Sequence, residues 1–195
     1  FYKNQIINHI KNRDSKILVL GAGKLDNEIF EELNFKNVTF TNIENSKEEN
    51  LNHFNNIHDI NLNENSYDYC VAHACVHHSS RPHQAILELY RVCSKGVLVI
   101  EANDSFVSRI ACKMNWSEEY ELSAVKKNIN TGGVDNTNVP NYVYRWTERE
   151  IIKLIKSYKP EINHKIYFDY GYQLKFTNSL IIKFIFKLFF LIFKK

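Results

Sequence analysis

The sequence predicts an α/β protein: a Rossmann-like, doubly wound, mostly parallel sheet with helices on both faces. Three observations carry that prediction. Short apolar runs alternate with amphipathic helical segments through the first hundred residues. The connections between them are short, as crossover units require. A Gly-x-Gly turn, Gly21-Ala22-Gly23, follows directly on the first apolar run.

Taken in order, "KILVL" (16–20) reads as a buried parallel strand. "DNEIFEELNF" follows as a helix, with Ile29, Phe30 and Leu33 on one face and acids near its start. "KNVTFTNIE" is rich in β-branched and aromatic residues and forms the second strand. The polar stretch 45–56 is expected to hold a short helix. "YDYCVAH" (67–73) is a strand, Ala85, Ile86, Leu89 and Val92 mark the next helix, and "GVLVIEA" (96–102) is another strand. Beyond Asp104 the alternation stops. Residues 105–128 read as helical, and "NINTGGVDNTNVPNY" as a loop. "TEREIIKLIKSY" is a helix opened by a Thr147/Glu150 capping box and stopped by Pro160. "HKIYFDYGYQL" reads as a strand or hairpin. No internal repeat is visible.

The chain has 195 residues, enough for one domain with a real core, and at 44% hydrophobic and 24% charged it is globular material. Five of its 25 basic residues and none of its 22 acidic ones lie in 175–195, leaving 20 basic against 22 acidic residues elsewhere. That body lacks the basic footprint of a nucleic-acid binder. The four cysteines form no C-x-x-C pair and read as reduced, which points to a cytoplasmic setting, and the N-terminal residues are too polar for a secretory signal. "SLIIKFIFKLFFLIFKK" (179–195) is apolar, too short to span a bilayer, and places Lys183, Lys187 and Lys194 on one helical face. Peripheral membrane contact and a core or lid helix are both compatible with it. The first residue is Phe1 rather than Met, so the chain is read as a possible fragment.

In an open α/β sheet, ligands bind beyond the carboxyl ends of the strands. The residues there are Gly21, Ala22 and Gly23, then Glu44 about twenty residues on, at the distance from which an acid accepts both hydroxyls of an adenosine ribose. Asp59, beside Ile60 in "HDINL", offers a carboxylate to an exocyclic amine, although a plain turn residue is an equal reading. His73 and Ala74 end a strand. The loop "HACVHHSSRPHQA" (73–85) holds four of the eight histidines. Glu101 and Asp104 follow the last strand. Tyr142, Tyr144, Arg145 and Trp146 either line an acceptor pocket or, by the favoured reading, pack a helix.

The glycines and Glu44 fit a dinucleotide or S-adenosylmethionine (SAM) equally. The segment "NENSYDYCVAHACVHHSSRPHQAILELYRVCSKGVLVIEA" resembles the strand-four to strand-five region of class I SAM-dependent methyltransferases, most closely the group called type 11. The likeness rests on Tyr67-Asp68, His77-His78, Pro82, Glu88 to Val92, and Lys95-Gly96, and covers roughly 16–104. It implies a SAM-binding core over about 16–104, an acceptor region over about 105–174 within a domain of 1–174, and a separate 175–195 segment. It implies SAM as cofactor, with Gly21, Ala22, Gly23, Glu44, Asp59, Ile60, His73 and Ala74 along it, and a small-molecule acceptor. "GGVDNTNVPNYVYRWTERE" also resembles a continuation of such enzymes, with no role attached. Two positions depart from the family pattern: Val19 stands where an acid usually helps hold the cofactor's amino group, and Leu25 where a third glycine is common. Asp26 is the candidate to replace that acid.

His77 and His78 are candidate general bases, since neutral imidazole suits that task near pH 7; loop-fixing hydrogen bonds are the bland alternative. A zinc site needs three or four convergent ligands, and the His73–His77 spacing spans a strand end and a loop without an H-E-x-x-H glutamate. No metal is therefore expected. The rival readings are a nicotinamide-dinucleotide oxidoreductase on the same sheet, a non-catalytic adenosyl-binding protein, and, behind these, a zinc hydrolase.

Overall fold

A computed structural model describes residues 1–42, 52–53, 56–127 and 131–171. The chain divides into two compact units, the first made of residues 1–102 and 120–144, the second of 103–119 and 145–195. Residues 120–144 thus return to the first unit after 103–119.

The first unit is built on five parallel strands in the order β3-β2-β1-β4-β5. They are β1 (Lys16–Leu20), β2 (Asn37–Asn42), β3 (Asn52–His53), β4 (Tyr67–His73) and β5 (Cys93–Ile100). The order reverses between β1 and β4, which creates the crevice where such sheets take ligands. The helices are α1 (Tyr2–His9), α2 (Lys24–Glu32) and α3 (Pro82–Val92). Strand residues alternate between faces. Ile17, Val19 and Val71 pack with Tyr2, Ile6, Ile10, Ile29 and Phe30 of the α1–α2 layer. Leu18, Leu20, Cys70 and Ala72 point the other way and are equally buried, as are Ala85, Ile86, Leu89 and Val92 of α3.

Local chemistry sets the boundaries. Gly23 caps α2, where the Asp26 carboxylate accepts from the Gly23 N–H at 2.9 Å. Asn34 then adopts a left-handed φ of 57°, the conformation that stops a helix. Pro82 opens α3, where its missing N–H costs nothing.

Residues quoted above for the resemblance turn out to be joints. Asp68 accepts from the Lys16 N–H at 3.0 Å and from Lys95 Nζ at 2.9 Å, and the Lys95 hydrogen bond, ahead of the Lys16 N–H, holds its carboxyl below the usual range. The Tyr69 ring lies against Gly96, where an added Cβ would sit 3.3 Å from it. Glu88 and Arg91 are more than a surface pair. Arg91 clasps both Glu88 oxygens at 2.8 Å and donates to the carbonyls of Ile60 (2.8 Å) and Leu62 (2.7 Å). Glu88 in turn accepts from the Ile60 N–H at 3.0 Å, so the pair straps residues 60–62 to α3.

The helical run expected over 105–128 is two helices, α4 (Phe106–Lys113) and α5 (Leu122–Lys127). Asn115 breaks it at φ 58°. In the second unit Asp104 is gripped by Arg109 through bonds of 2.8 and 2.7 Å, and α6 (Glu148–Tyr158) opens as expected, with Thr147 accepting from the Glu150 N–H. Residues 164–171 carry neither strand nor hairpin. Most of 45–56, and all of 175–195, lie outside the described residues, and with them the expected short helix and the apolar-basic segment. No described helix is long and apolar enough to cross a membrane.

Candidate functional site

A cavity of about 230 Å³ opens at the carboxyl ends of β1, β2 and β4, entirely within the first unit. Leu20 and Gly21 form its β1 side, Thr41 and Asn42 its β2 side, and Ala74, Cys75, His78 and Ser79 its β4 side. Asn56 and Ile57 close one wall, and Gly132, Gly133, Asp135 and Asn136 another.

Gly21 is needed twice over. Its φ is +62°, and a Cβ there would lie 2.5 Å from Cys75 Cβ and 2.9 Å from Cys75 Sγ. Ala74 also takes a left-handed conformation, φ 50°, which turns the chain out of β4. A non-glycine residue held there costs about 1–3 kcal/mol, and such strain is characteristic of functional loops. The cavity floor is tied by hydrogen bonds: Ala22 N–H to Thr41 O at 2.9 Å, Asn42 Nδ2 to Ala22 O at 2.8 Å, and Thr41 Oγ1 to Val19 O at 3.0 Å.

Glu101, at the end of β5, organises the loop after β4. One oxygen accepts from the N–H groups of Cys75 (2.9 Å) and Val76 (2.7 Å), and the other from His77 Nδ1 at 2.5 Å. His77 is buried, with Nε2 3.5 Å from Glu121 Oε1. Burial alone would lower the His77 pKa, but the two carboxylates outweigh it and raise it to about 9. Facing that imidazolium, the Glu121 carboxyl is held down at about 2. His78 behaves oppositely. Burial first, and then the charge on His77, lower its pKa, and its Nε2 lies 3.3 Å from Glu121 Oε2. The two adjacent histidines, alike in sequence, thus divide into a buried cation and a neutral ring facing the cavity.

The remaining expected residues are placed as follows. Gly21, Ala74 and His78 line the cavity; Ala22 is buried behind it; Gly23 caps α2. Asp59 is exposed and Ile60 buried, while the wall is made by Asn56 and Ile57 just upstream. The His73 ring stacks on Tyr2 at 4.3 Å. Glu44 lies outside the described residues. Both Asp26 oxygens are engaged, by the Gly23 N–H and by the Tyr2 hydroxyl at 2.7 Å. Tyr142 is exposed, Trp146 is buried, and the Tyr144 hydroxyl reaches His83.

Sequence reasoning missed the 132–136 wall and Glu121. Gly132 (φ 93°), Asp135 (48°) and Asn136 (62°) all take left-handed backbone, and a Cβ on Gly133 would strike Val139 O at 1.9 Å. Asp135 anchors this turn by accepting from the Ser80 N–H at 3.0 Å. His58 is held between Asn56, at 2.8 Å from its Nε2, and Ser79, at 2.7 Å from its Nδ1. The Gly-Gly pair followed by Asp-Asn was the available signal.

Residues 29–100 match a family described as a methyltransferase domain. No curated protein matches the sequence. Among solved structures, the chain is similar to the methyltransferase component of a Haloferax volcanii complex with the Trm112 methyltransferase activator, at 11% identity and TM-score 0.52, over 80% of this chain and 65% of that one. It is also similar to a Bacillus halodurans structure described as a methyltransferase, at 14% identity and TM-score 0.50, over 80% of this chain and 64% of that one. The chain therefore spans just under two thirds of the length of each. At these identities the shared property is the fold.

Proposed function

We propose that this chain, which carries a methyltransferase domain of the class I SAM-dependent kind, binds SAM in the cavity beside Gly21 and methylates a small-molecule acceptor. The observation that carries the reading is the cavity's position. It opens where the parallel order reverses, against the left-handed turn at Gly21 that Cys75 packs upon. That position suits a cofactor laid along the β1 turn.

SAM supplies a methyl group already activated on a sulfonium; as the new bond to the acceptor forms, the carbon–sulfur bond breaks and a neutral thioether leaves. The protein's part is orientation and exclusion of water, where most of the acceleration in such a transfer lies. Gly21, Ala22 and Gly23 present the β1 turn and the start of α2. Glu44 takes the ribose hydroxyls. Asn42, Asn56 and Ile57 form the adenosine end of the wall, with Asp59 and Ile60 just behind. Ala74 and Cys75 carry the opposite wall, and His73 steadies the end of β4. The turn at 132–136 closes over the acceptor side. His78, neutral and facing the cavity, takes the proton of a hydroxyl acceptor, while buried His77 holds the loop. A cytoplasmic setting, and peripheral lipid contact through 179–195, belong to the same proposal.

Melting with SAM, its demethylated product and NAD side by side tests the reading. At a hundredfold excess over Kd, SAM adds about 2.7 kcal/mol. For a chain of this size that raises Tm by roughly 5–10 °C. Stabilisation by NAD alone would identify a dinucleotide enzyme instead.

A further inference from the structure

Beside the cavity, one buried histidine nitrogen makes no hydrogen bond. The His77 side chain is only 6% exposed, and its Nε2 has only the 3.5 Å ion-pair contact with Glu121 Oε1. It points at a cluster in which His77, His78 and Glu121 each offer a ligand atom, all within 4.8 Å of one another. We propose that His77 Nε2, His78 Nε2 and one Glu121 carboxylate oxygen bind a divalent transition-metal ion of the zinc class.

The three ligand atoms, one carboxylate oxygen among them, lie within 4.8 Å of one another, and the two imidazoles face different oxygens of the same carboxylate. Ligands at about 2.0–2.2 Å around a tetrahedral ion stand roughly 3.3–3.5 Å apart. His77 Nε2 lies 3.5 Å from Glu121 Oε1, and His78 Nε2 lies 3.3 Å from Glu121 Oε2. The surroundings hold these groups in place. Glu101 fixes the His77 ring through Nδ1 at 2.5 Å, so Nε2 is the nitrogen that faces the metal, and a carboxylate behind a ligand imidazole also raises its basicity. Asn141, fully buried, donates to Glu121 Oε2 at 3.1 Å and orients that carboxylate, while its backbone carbonyl accepts from the Glu121 N–H at 3.0 Å. Two imidazoles and a carboxylate favour zinc, iron, nickel or copper over magnesium or calcium. The metal replaces the proton that His77 Nε2 otherwise carries.

Three protein ligands leave a coordination position for water or a substrate oxygen. The use of that position rests on the methyltransferase reading. There it would select an acceptor with a metal-binding oxygen; in the metal-loaded protein His78 Nε2 is a ligand and no longer the base, and the hydroxyl, acidified by the metal's charge, would give its proton to solvent. The site itself does not depend on that reading. The local histidine spacing concealed it, because its third ligand stands 43 residues beyond His78, in a segment that returns to the first unit.

The test uses the full chain stripped with a chelator, titrated with Zn²⁺ by calorimetry and with Co²⁺ by visible absorption. One equivalent should bind at micromolar Kd or tighter, with the ligand-field bands of a low-coordinate Co²⁺ site. Glu121→Gln and His78→Gln should each weaken binding by roughly 10–100-fold while retaining the wild-type circular dichroism, and His9→Gln should leave it unchanged. Should Glu121→Gln fold poorly, His78→Gln decides the matter. Absence of saturable binding, or wild-type affinity in the folded variants, overturns the site. SAM titrated in chelator keeps the two ideas apart: SAM binding without metal binding overturns the metal site alone, whereas metal binding without SAM binding supports the site and overturns the methyltransferase reading.

Discussion

Replacing Arg91 by Ala should unfasten the wall of the cavity from the helix behind it. The guanidinium makes two bonds to Glu88 and one each to the carbonyls of Ile60 and Leu62, all between 2.7 and 2.8 Å. Only about a fifth of either side chain is exposed, 20% for Arg91 and 18% for Glu88, so solvent screens the pair little. Removing one partner of a well-buried pair costs about 3–5 kcal/mol because the other charge is stranded. Here Glu88 keeps the Ile60 N–H, and the residual exposure relieves part of the penalty, so a loss of about 2–4 kcal/mol is expected. For a chain of this length that lowers Tm by roughly 5–15 °C. Urea melts give the free energy, and a cycle with Glu88→Gln isolates the coupling. Because Asn56 and Ile57 precede the strapped segment, affinity for SAM should fall as well. A loss below about 0.5 kcal/mol, the range of an exposed ion pair, with unchanged SAM affinity would refute the strap.

Further outcomes follow from the same geometry. The Arg91 hydrogen bonds depress the Glu88 carboxyl in the folded state, so the stability they add is present above the unfolded carboxyl pKa of about 4.3 and is lost as pH falls through the lower folded value. The gap between wild type and Glu88→Gln in urea melts should therefore be full at pH 7 and close at acid pH. Gly21→Ala drives a Cβ to within 2.5 Å of Cys75 Cβ in a left-handed backbone, and should weaken SAM at least about tenfold by calorimetry while lowering Tm. Gly133→Ala, whose Cβ would meet Val139 O, should displace the 132–136 turn and reduce methyl transfer more than it reduces SAM affinity.

The strands β1, β4 and β5 and the helices α2 and α3 were legible because their patterns are local: short apolar runs, buried in β1 and half-buried in β5, then one apolar helix face. The glycine turn was legible for the same reason. The extent of the 105–128 helix was misjudged although Asn115, a common left-handed stop, stood in plain view. What stayed hidden depends on contacts across the chain. Nothing within "HACVHH" says that His77 is charged and His78 neutral, since the deciding carboxylates are Glu101 and Glu121, 24 and 44 residues beyond His77. Nothing local shows that Glu88 and Arg91, three apart on one helix, strap another segment, because the backbone groups they bind lie about thirty residues upstream. The cavity wall at 132–136 comes from a segment that leaves and rejoins the first unit.

The central claim is that the cavity beside Gly21 takes SAM, and calorimetric titration of the full chain with SAM, repeated with Glu44→Ala, tests it most directly. The account predicts saturable one-to-one binding at micromolar Kd. It also predicts a loss of roughly 10–100-fold in the variant, which forfeits charged hydrogen bonds to the ribose. A folded wild-type chain that binds no SAM would contradict it.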